Sequence, residues 1–300
     1  MRISIIVIAH NEEKNITHCL ESLESQILKP QEIIFIDDDS TDKTYRIASR
    51  FPVKLIKIKR SERSKARNIG WQKAMGNIIC FAEADSVFDK YWLSEIMKTF
   101  KKGADAVIDR RKMYQPKTFF QKSLEVQFDI RYSNYKPFSA WAFKKNVLKD
   151  TGGFDEELNQ SEDSDLGKRI KKLNYKIKLA KNAIQYHRGE AQNLFQYLKR
   201  SFISEKRKFR GYYKKYPQEI PKNKIIEITI LFLIFILSFF NIKIFIIFIC
   251  FLFFYYLAIF IKISVIEKGW KKAKKRYLIG LSFFRLARNI IVALSYFFKD

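Results

Sequence analysis

Strand-like and helix-like patterns alternate through the first half of the chain, and this alternation limits the fold more than any other feature. Ile3–Ala9 (ISIIVIA) reads as a buried strand. Asn11–Gln26 follows with Ile16, Cys19, Leu20 and Leu23 on one helical face. Glu32–Ile36 is a second strand, Thr41–Arg50 a helix, Val53–Ile58 a third strand, Ser64–Met75 a helix and Ile78–Ala82 a fourth strand. This predicts an α/β domain built on a mostly parallel, doubly wound sheet. Such sheets bind ligands beyond the carboxyl ends of their strands. No glycine-rich phosphate loop follows the first strand, which argues against a dinucleotide or P-loop fold.

Acidic residues stand where the strands end. Asp37-Asp38-Asp39 follows strand two, and Glu83-Ala84-Asp85 follows strand four. Glu162-Asp163-Ser164-Asp165 opens a helical run, Leu166–Leu173. Alone, each cluster reads as readily as a helix cap or a solvated turn. Together, in this order on an alternating α/β pattern, they are more specific, and those after strands two and four, converging on one sheet edge, suit a divalent cation bridging carboxylates to substrate phosphates.

The chain resembles the family 2 glycosyltransferases of GT-A fold. The resemblance rests on Ile5–Glu13 (IVIAHNEE), Phe35–Asp42 (FIDDDSTD), Ala66–Gly76 (ARNIGWQKAMG), Phe81–Ser86 (FAEADS), Gly152–Glu156 (GGFDE) and Glu162–Arg169 (EDSDLGKR), and it covers roughly residues 1–190. It implies transfer of a sugar from a nucleotide-sugar donor with inversion, helped by Mg²⁺ or Mn²⁺. Residue by residue, Ala9, His10, Asn11 and Glu12 are expected at the nucleotide. Asp37 and Asp38 are expected at the base or ribose, and Arg67 and Asn68 near the donor, Arg67 on phosphate or against the metal loop. Asp85 matches the second acid of the family's Asp-x-Asp metal motif. The first acid is Glu83, whose longer arm is expected to face sugar or ribose, with Ala84 beside it. Asp163 matches the general base, and Glu162 is expected to orient acceptor or helix. His187 follows the strand-like Ile177–Tyr186 and is expected as a further metal or diphosphate ligand. Lys112–Trp141, with aromatics Tyr114, Phe119, Phe120, Phe128, Tyr132, Tyr135, Phe138 and Trp141, is expected to wall the acceptor or pack in the core.

The last third reads differently. Ile225–Ile261 is apolar, broken only by Glu227 near its start and by Asn241-Ile242-Lys243. Ile244–Ile261 has no charge and is long enough to cross a bilayer. The first segment needs Ile225–Glu227 and a thin bilayer to do the same. Ten Lys/Arg lie between Lys199 and Lys224, and a second cluster (Lys268, Lys271, Lys272, Lys274, Lys275, Arg276) follows. These flanks predict a hairpin with both ends cytoplasmic. Tyr277–Phe298 carries Arg285 and Arg288, costly inside lipid, and is expected to lie at the interface. Met-Arg followed by seven apolar-type residues does not make a cleavable signal peptide. The expected organisation is a transferase domain (1–198), a basic connector (199–224), a membrane hairpin (225–263) and an interfacial tail (264–300).

Net charge has meaning only against that organisation. Lys+Arg exceed Asp+Glu by 57 to 31, giving +26. Two basic clusters flanking an apolar stretch fit anionic membrane lipid, with no nucleic acid expected as partner. The expected activity is an inverting hexosyltransferase acting on a lipid-linked or polymeric glycan acceptor, with UDP-sugar as donor. Two alternatives stay open: a polyprenyl-phosphate sugar synthase, and an inactive, basic, membrane-anchored binding protein.

Overall fold

The structure is a computed structural model. It describes residues 1–133, 141–158, 160–238, 242–263 and 275–297. Tyr135, Phe138, Asn241, Lys268, Lys271, Lys272 and Lys274 lie outside the described residues. The chain divides into two compact units. The first holds residues 1–114 and 135–190, the second 115–134 and 191–300.

The first unit is an α/β domain. In chain order it contains β1 (Ile3–Ala9), α1 (Ile16–Glu24), β2 (Glu32–Asp38), α2 (Thr44–Ala48), β3 (Lys54–Ile58), α3 (Arg63–Lys73), β4 (Ile78–Glu83) and β5 (Ser86–Phe88). The second unit's α5 (Phe119–Ser133) separates α4 (Trp92–Lys101) and β6 (Ala106–Met113) from β7 (Ala142–Lys144) and α6 (Lys145–Thr151). Helix α7 (Glu162–Lys172) and strand β8 (Ile177–His187) complete the first unit. One eight-stranded sheet runs in the order β3-β2-β1-β4-β7-β6-β8-β5. The β3-β2-β1-β4 half is parallel, as the alternation predicts. Beyond β4 the sheet is mixed. Strand β7 is antiparallel to both β4 and β6, and β5 is antiparallel to β8.

Burial explains the parallel half. Ile5, Ile6 and Val7 of β1 are fully buried, so both faces of that strand are covered. A strand covered on both faces reads as a continuous apolar run. Each such side chain contributes about 1.5–3 kcal/mol when removed from water. Helix α3 comes very close to β1. A Cβ added to Gly70 would meet Ile6 Cγ2 at 2.5 Å, so only glycine permits this contact.

Register then sets the site. Ala9 pairs with Asp37 on one side of β1, and Ile8 pairs with Glu83 on the other. His187, the last residue of β8, pairs with Ser86 of β5 and Met113 of β6. The acids after strands two and four thus share one sheet edge with His187.

The second unit is helical: α5, then α8 (Leu194–Arg210), α9 (Tyr212–Lys215), α10 (Lys222–Ser238), α11 (Ile242–Ile261) and α12 (Lys275–Phe297). Phe119 and Phe120 pack on Tyr277, Tyr197 and Phe284 within this unit. Large apolar side chains stand exposed on α10, α11 and α12, among them Phe232, Phe254 and Phe283. Among the described residues one helix, Tyr277–Tyr296, is long and apolar enough to cross a membrane. Ile225–Ile234 and Ile246–Ile261 are shorter apolar helices. The sequence assigned the spans to the 225–261 stretch and read the later helix as interfacial. Arg288 of that later helix is paired at 3.2 Å with Glu205 of α8, a carboxylate only 2% exposed. Lys208 Nζ and the Tyr213 hydroxyl also donate to Glu205, so Arg288 has a buried carboxylate partner inside the unit that it shares with Lys208.

Candidate active site

The edge of the sheet is closed by two loops stitched together. Asn11 takes a left-handed conformation (φ 56°), which asparagine tolerates better than most residues. Its N–H donates to Ser40 Oγ, and its Oδ1 accepts from the Thr41 N–H at 2.9 Å. The Glu12 N–H donates to Thr44 Oγ1, and the Glu13 N–H to Asp42. His10 Nδ1 lies 2.8 Å from the Asp38 carbonyl, while Asn11 Nδ2 faces His10 Nε2. A carbonyl only accepts, so the partners assign the ring proton to Nδ1.

Asp38 receives the Ser61 N–H at 2.7 Å and Arg60 Nη1 at 2.5 Å. Arg60 itself is largely exposed. Asp37 is fully buried, and its carboxylate oxygens make no hydrogen bond among the described residues. Asp38 is buried as well, with one carboxylate oxygen held by Arg60 and the other by Ser61. Ala9 and Ala84 contribute side chains to the core. Burial raises the Glu12 carboxyl above its ordinary value, against the hydrogen bond from Asn15.

Arg67 and Asn68 have work inside the protein. Arg67 is 6% exposed and pairs with Glu162 Oε1 at 2.5 Å. Its guanidinium also lies 4.9 Å from the Trp141 ring centroid and 5.2 Å from that of Phe154. Asn68 donates to the Phe154 carbonyl and to Glu156, and accepts from the Phe154 N–H and Trp71 Nε1. Both residues were expected beside the donor. The structure has them lock the Gly152–Glu156 loop and the start of α7 onto α3. Sequence separation hides this, since Arg67 and Glu162 are 95 residues apart.

At the start of α7, Glu162 and Asp163 differ sharply in environment. Glu162 is buried, and burial pushes its carboxyl up, but Arg67 outweighs this and holds it below the usual range. Asp163 is only half-buried, and its Oδ1 accepts the Ser164 N–H at 2.7 Å. Asp165 is tied to Arg169, which donates onward to the Thr151 and Gly153 carbonyls. Of the three acids in this first helical turn, Glu162 pairs with Arg67 and Asp165 with Arg169, and both are buried, while Asp163 is half-buried.

Glu83, Asp85 and His187 converge. One ligand atom from each lies within 4.8 Å of the others. His187 Nε2 is 3.1 Å from Asp85 Oδ2 and 3.6 Å from Glu83 Oε2. Burial pushes Asp85 up, but His187 and then Arg111 hold it below the usual carboxylate range. Glu83, read from the sequence as facing sugar or ribose, stands in this group. Two carboxylates and an imidazole form an oxygen and nitrogen donor set suited to Mn²⁺ or Mg²⁺. Glu83 Oε2 is buried without an aligned hydrogen bond, as suits an oxygen that serves as a cation ligand.

Several residues here were not read from the sequence. Arg111 Nη2 lies 3.2 Å from Glu83, and Glu190 lies 3.3 Å from His187 Nδ1. The Arg188 N–H donates to the Asp85 carbonyl at 2.8 Å. A Cβ on Gly189 would meet Asp85 Oδ2 at 2.1 Å, so the turn after β8 is shaped around that carboxylate. The signal available was the compact run His187-Arg188-Gly189-Glu190 directly after a strand.

Asp109 of β6 lies behind this group, fully buried. Trp92 Nε1 and Gln185 Nε2 donate to it at 2.9 and 3.0 Å. Burial outweighs these bonds and pushes Asp109 up to about 6. The unfolded value is about 3.9. Asp109 therefore adds stability that is full below about pH 4 and lost as pH rises toward 6 and beyond, about 3 kcal/mol in all. Denaturant unfolding between pH 4.5 and 7 checks this. Wild type should lose stability across that interval relative to Asp109→Asn, and an unchanged difference would contradict the assignment.

A family model decides the relationship. The model for Glycosyl transferase family 2 matches residues 4–154, half of the chain. The chain belongs to glycosyltransferase family 2. The probable glycosyltransferase YdaM of Bacillus subtilis is 26% identical over 212 residues, covering 62% of this chain and 50% of YdaM. The poly(ribitol-phosphate) β-N-acetylglucosaminyltransferase TarS of Staphylococcus aureus is 28% identical over 178 residues, covering 54% of this chain and 31% of TarS. The chain thus spans half or less of these relatives' length. Among solved structures, S. aureus TarS 1–349 in complex with UDP-GlcNAc superposes with a TM-score of 0.51 at 23% identity, covering 70% of this chain and 67% of that one. The mannosyltransferase PcManGT of Pyrobaculum calidifontis, in complex with GDP-Man and Mn²⁺, gives 0.57 at 18% identity, covering 72% and 64%. These likenesses establish the GT-A fold of this family 2 chain.

Proposed function

We propose that this family 2 member transfers a sugar, with inversion, from a nucleotide-sugar to a hydroxyl of a lipid-linked or polymeric glycan at the cytoplasmic face of a membrane. The observation that carries the reading is the separation of two acid sites. Glu83, Asp85 and His187 form a compact donor set at strand ends, while Asp163 stands half-buried at the start of α7, beside the arginine-paired Glu162.

Roles follow from these environments. Asp38, at the β1–β2 edge with His10 and Asn11, binds the base or ribose, and Glu12 borders the diphosphate. Glu83, Asp85 and His187 hold Mg²⁺ or Mn²⁺. When bound, that cation supplies Lewis-acid stabilisation of the charge on the leaving diphosphate. Asp163 takes the proton from the acceptor hydroxyl as its oxygen attacks the anomeric carbon. A phosphate acceptor needs no such base, so a carboxylate at the position of Asp163 favours a hydroxyl. UDP is the nucleotide of this reading, and the donors to be tested include GDP-sugars because the two structural neighbours hold UDP-GlcNAc and GDP-Man. The second unit supplies membrane attachment through its exposed apolar helices and basic α8, both termini being cytoplasmic.

Release of nucleotide diphosphate from a panel of nucleotide-sugars, with Mn²⁺ and membrane extract, tests this reading. One donor should be consumed by wild type and spared by Asp85→Asn. Equal turnover by both proteins, or none of any donor, would oppose it. Gly189→Ala gives a steric test of the same site. The added methyl displaces the Asp85 carboxylate, so half-saturating Mn²⁺ should rise at least about tenfold. An unchanged Mn²⁺ requirement would place Asp85 outside the cation's reach.

A further inference from the structure

We propose that Glu190 is a positioning residue for His187: its carboxylate accepts a hydrogen bond from the imidazole Nδ1–H, keeping the proton on that nitrogen, and so presents the Nε2 lone pair to the cation. This rests on the reading of Glu83, Asp85 and His187 as a cation site.

Three observations support it. The first is geometric. Glu190 Oε1 lies 3.3 Å from His187 Nδ1, while Nε2 on the far side of the ring lies 3.1 Å from Asp85. The two ring nitrogens therefore face different carboxylates, and only the Asp85 side belongs to the cation group. A neutral imidazole carries one proton, and a partner at one nitrogen leaves the other as ligand. Nδ1 is buried and has no aligned hydrogen bond, so Glu190 is the acceptor within reach of a donor that needs one.

The second observation is the anchoring of Glu190. Arg111 Nε lies 3.5 Å from Glu190 Oε1, and Arg111 Nη2 lies 3.2 Å from Glu83 Oε2. One guanidinium on β6 thus spans the first acid of the cation group and the carboxylate behind its histidine. The third observation is charge. Glu83, Asp85 and Glu190 against Arg111 leave two negative charges on these four side chains. A divalent cation cancels that charge with His187 neutral. Without Glu190 the set is one charge short.

Mn²⁺ binding to the detergent-solubilised full chain, read from the free-ion electron paramagnetic resonance signal in the presence of UDP, tests the proposal without turnover. Outer-shell partners of a metal-bound histidine typically contribute 10–100-fold in affinity. Glu190→Ala should weaken Mn²⁺ binding by about that factor. Glu190→Gln keeps an acceptor oxygen and should recover most of it, with an unchanged melting temperature in both. His187→Ala combined with Glu190→Ala should bind no more weakly than His187→Ala alone. Tight binding by Glu190→Ala, or additive losses in the double variant, would overturn the positioning role while the cation site stands. Failure of wild type to bind Mn²⁺ at all would overturn both.

Discussion

Asp163→Asn is expected to lower sugar transfer by about 10²–10⁴-fold, the range a positioned general base supplies. Its affinity for nucleotide-sugar should not change. Asp163 is half-buried at the first turn of α7, with Oδ1 already receiving the Ser164 N–H. Asparagine fits the same space and still offers that N–H an oxygen, but it cannot take a proton. Glu162, one residue earlier, cannot stand in. It is buried, and its carboxylate is bound by Arg67 at 2.5 Å. Transfer rates under single-turnover conditions, alongside calorimetric binding of the donor, separate the two effects. Full transfer by Asp163→Asn would remove the base assignment. A parallel loss of donor affinity would instead place Asp163 at the donor.

Arg67→Met carries the largest expected stability loss. It leaves Glu162 buried without its partner, and breaking a buried pair from one side typically costs about 3–5 kcal/mol. The guanidinium also stacks on Trp141 and Phe154, so the Gly152–Glu156 loop should loosen too. Glu162 is held low only because Arg67 overcomes the effect of burial. The pair's stabilisation is therefore present above the unfolded carboxyl value and lost as pH falls through the lower folded one. Arg67→Met should accordingly be most harmful near neutral pH. Urea unfolding followed by tryptophan fluorescence, to which Trp71, Trp92 and Trp141 of the first unit contribute along with Trp270, measures the loss. The double change Arg67→Met with Glu162→Leu should recover much of it, because an apolar pair leaves no buried charge. If Arg67→Met unfolds like wild type, the pair holds neither the loop nor the start of α7.

The two halves of the sheet were unequally legible. β1, β2 and β4 announce themselves because strands covered on both faces are continuous apolar runs, while β3 at the sheet edge shows as the lysine-interrupted KLIKI. β6 (AVIDRRKM) does not, since Asp109, Arg110 and Arg111 interrupt its pattern for reasons that lie elsewhere in the fold. β5 and β7 have three residues each, too few to show a period. The acids of the site were visible because they follow strand ends. Their partners were not. Arg111 reaches the cation group from β6 and Glu190 from the turn after β8, and Arg67 finds Glu162 across 95 residues. Spacing in the sequence carries no trace of such pairings. Arg288 gives the same lesson in the second unit. Its charge reads as a bar to lipid until Glu205 of α8 appears beside it.

The central claim is that a divalent cation held by Glu83, Asp85 and His187 brings the nucleotide diphosphate to the sheet edge. Calorimetric titration of UDP into the solubilised chain, with Mn²⁺ and with excess chelator, tests it directly. The account predicts that Mn²⁺ tightens UDP binding at least about tenfold in wild type, that Asp85→Asn loses this gain, and that Asp163→Asn keeps it. UDP affinity indifferent to Mn²⁺, or a gain that survives Asp85→Asn, would contradict it.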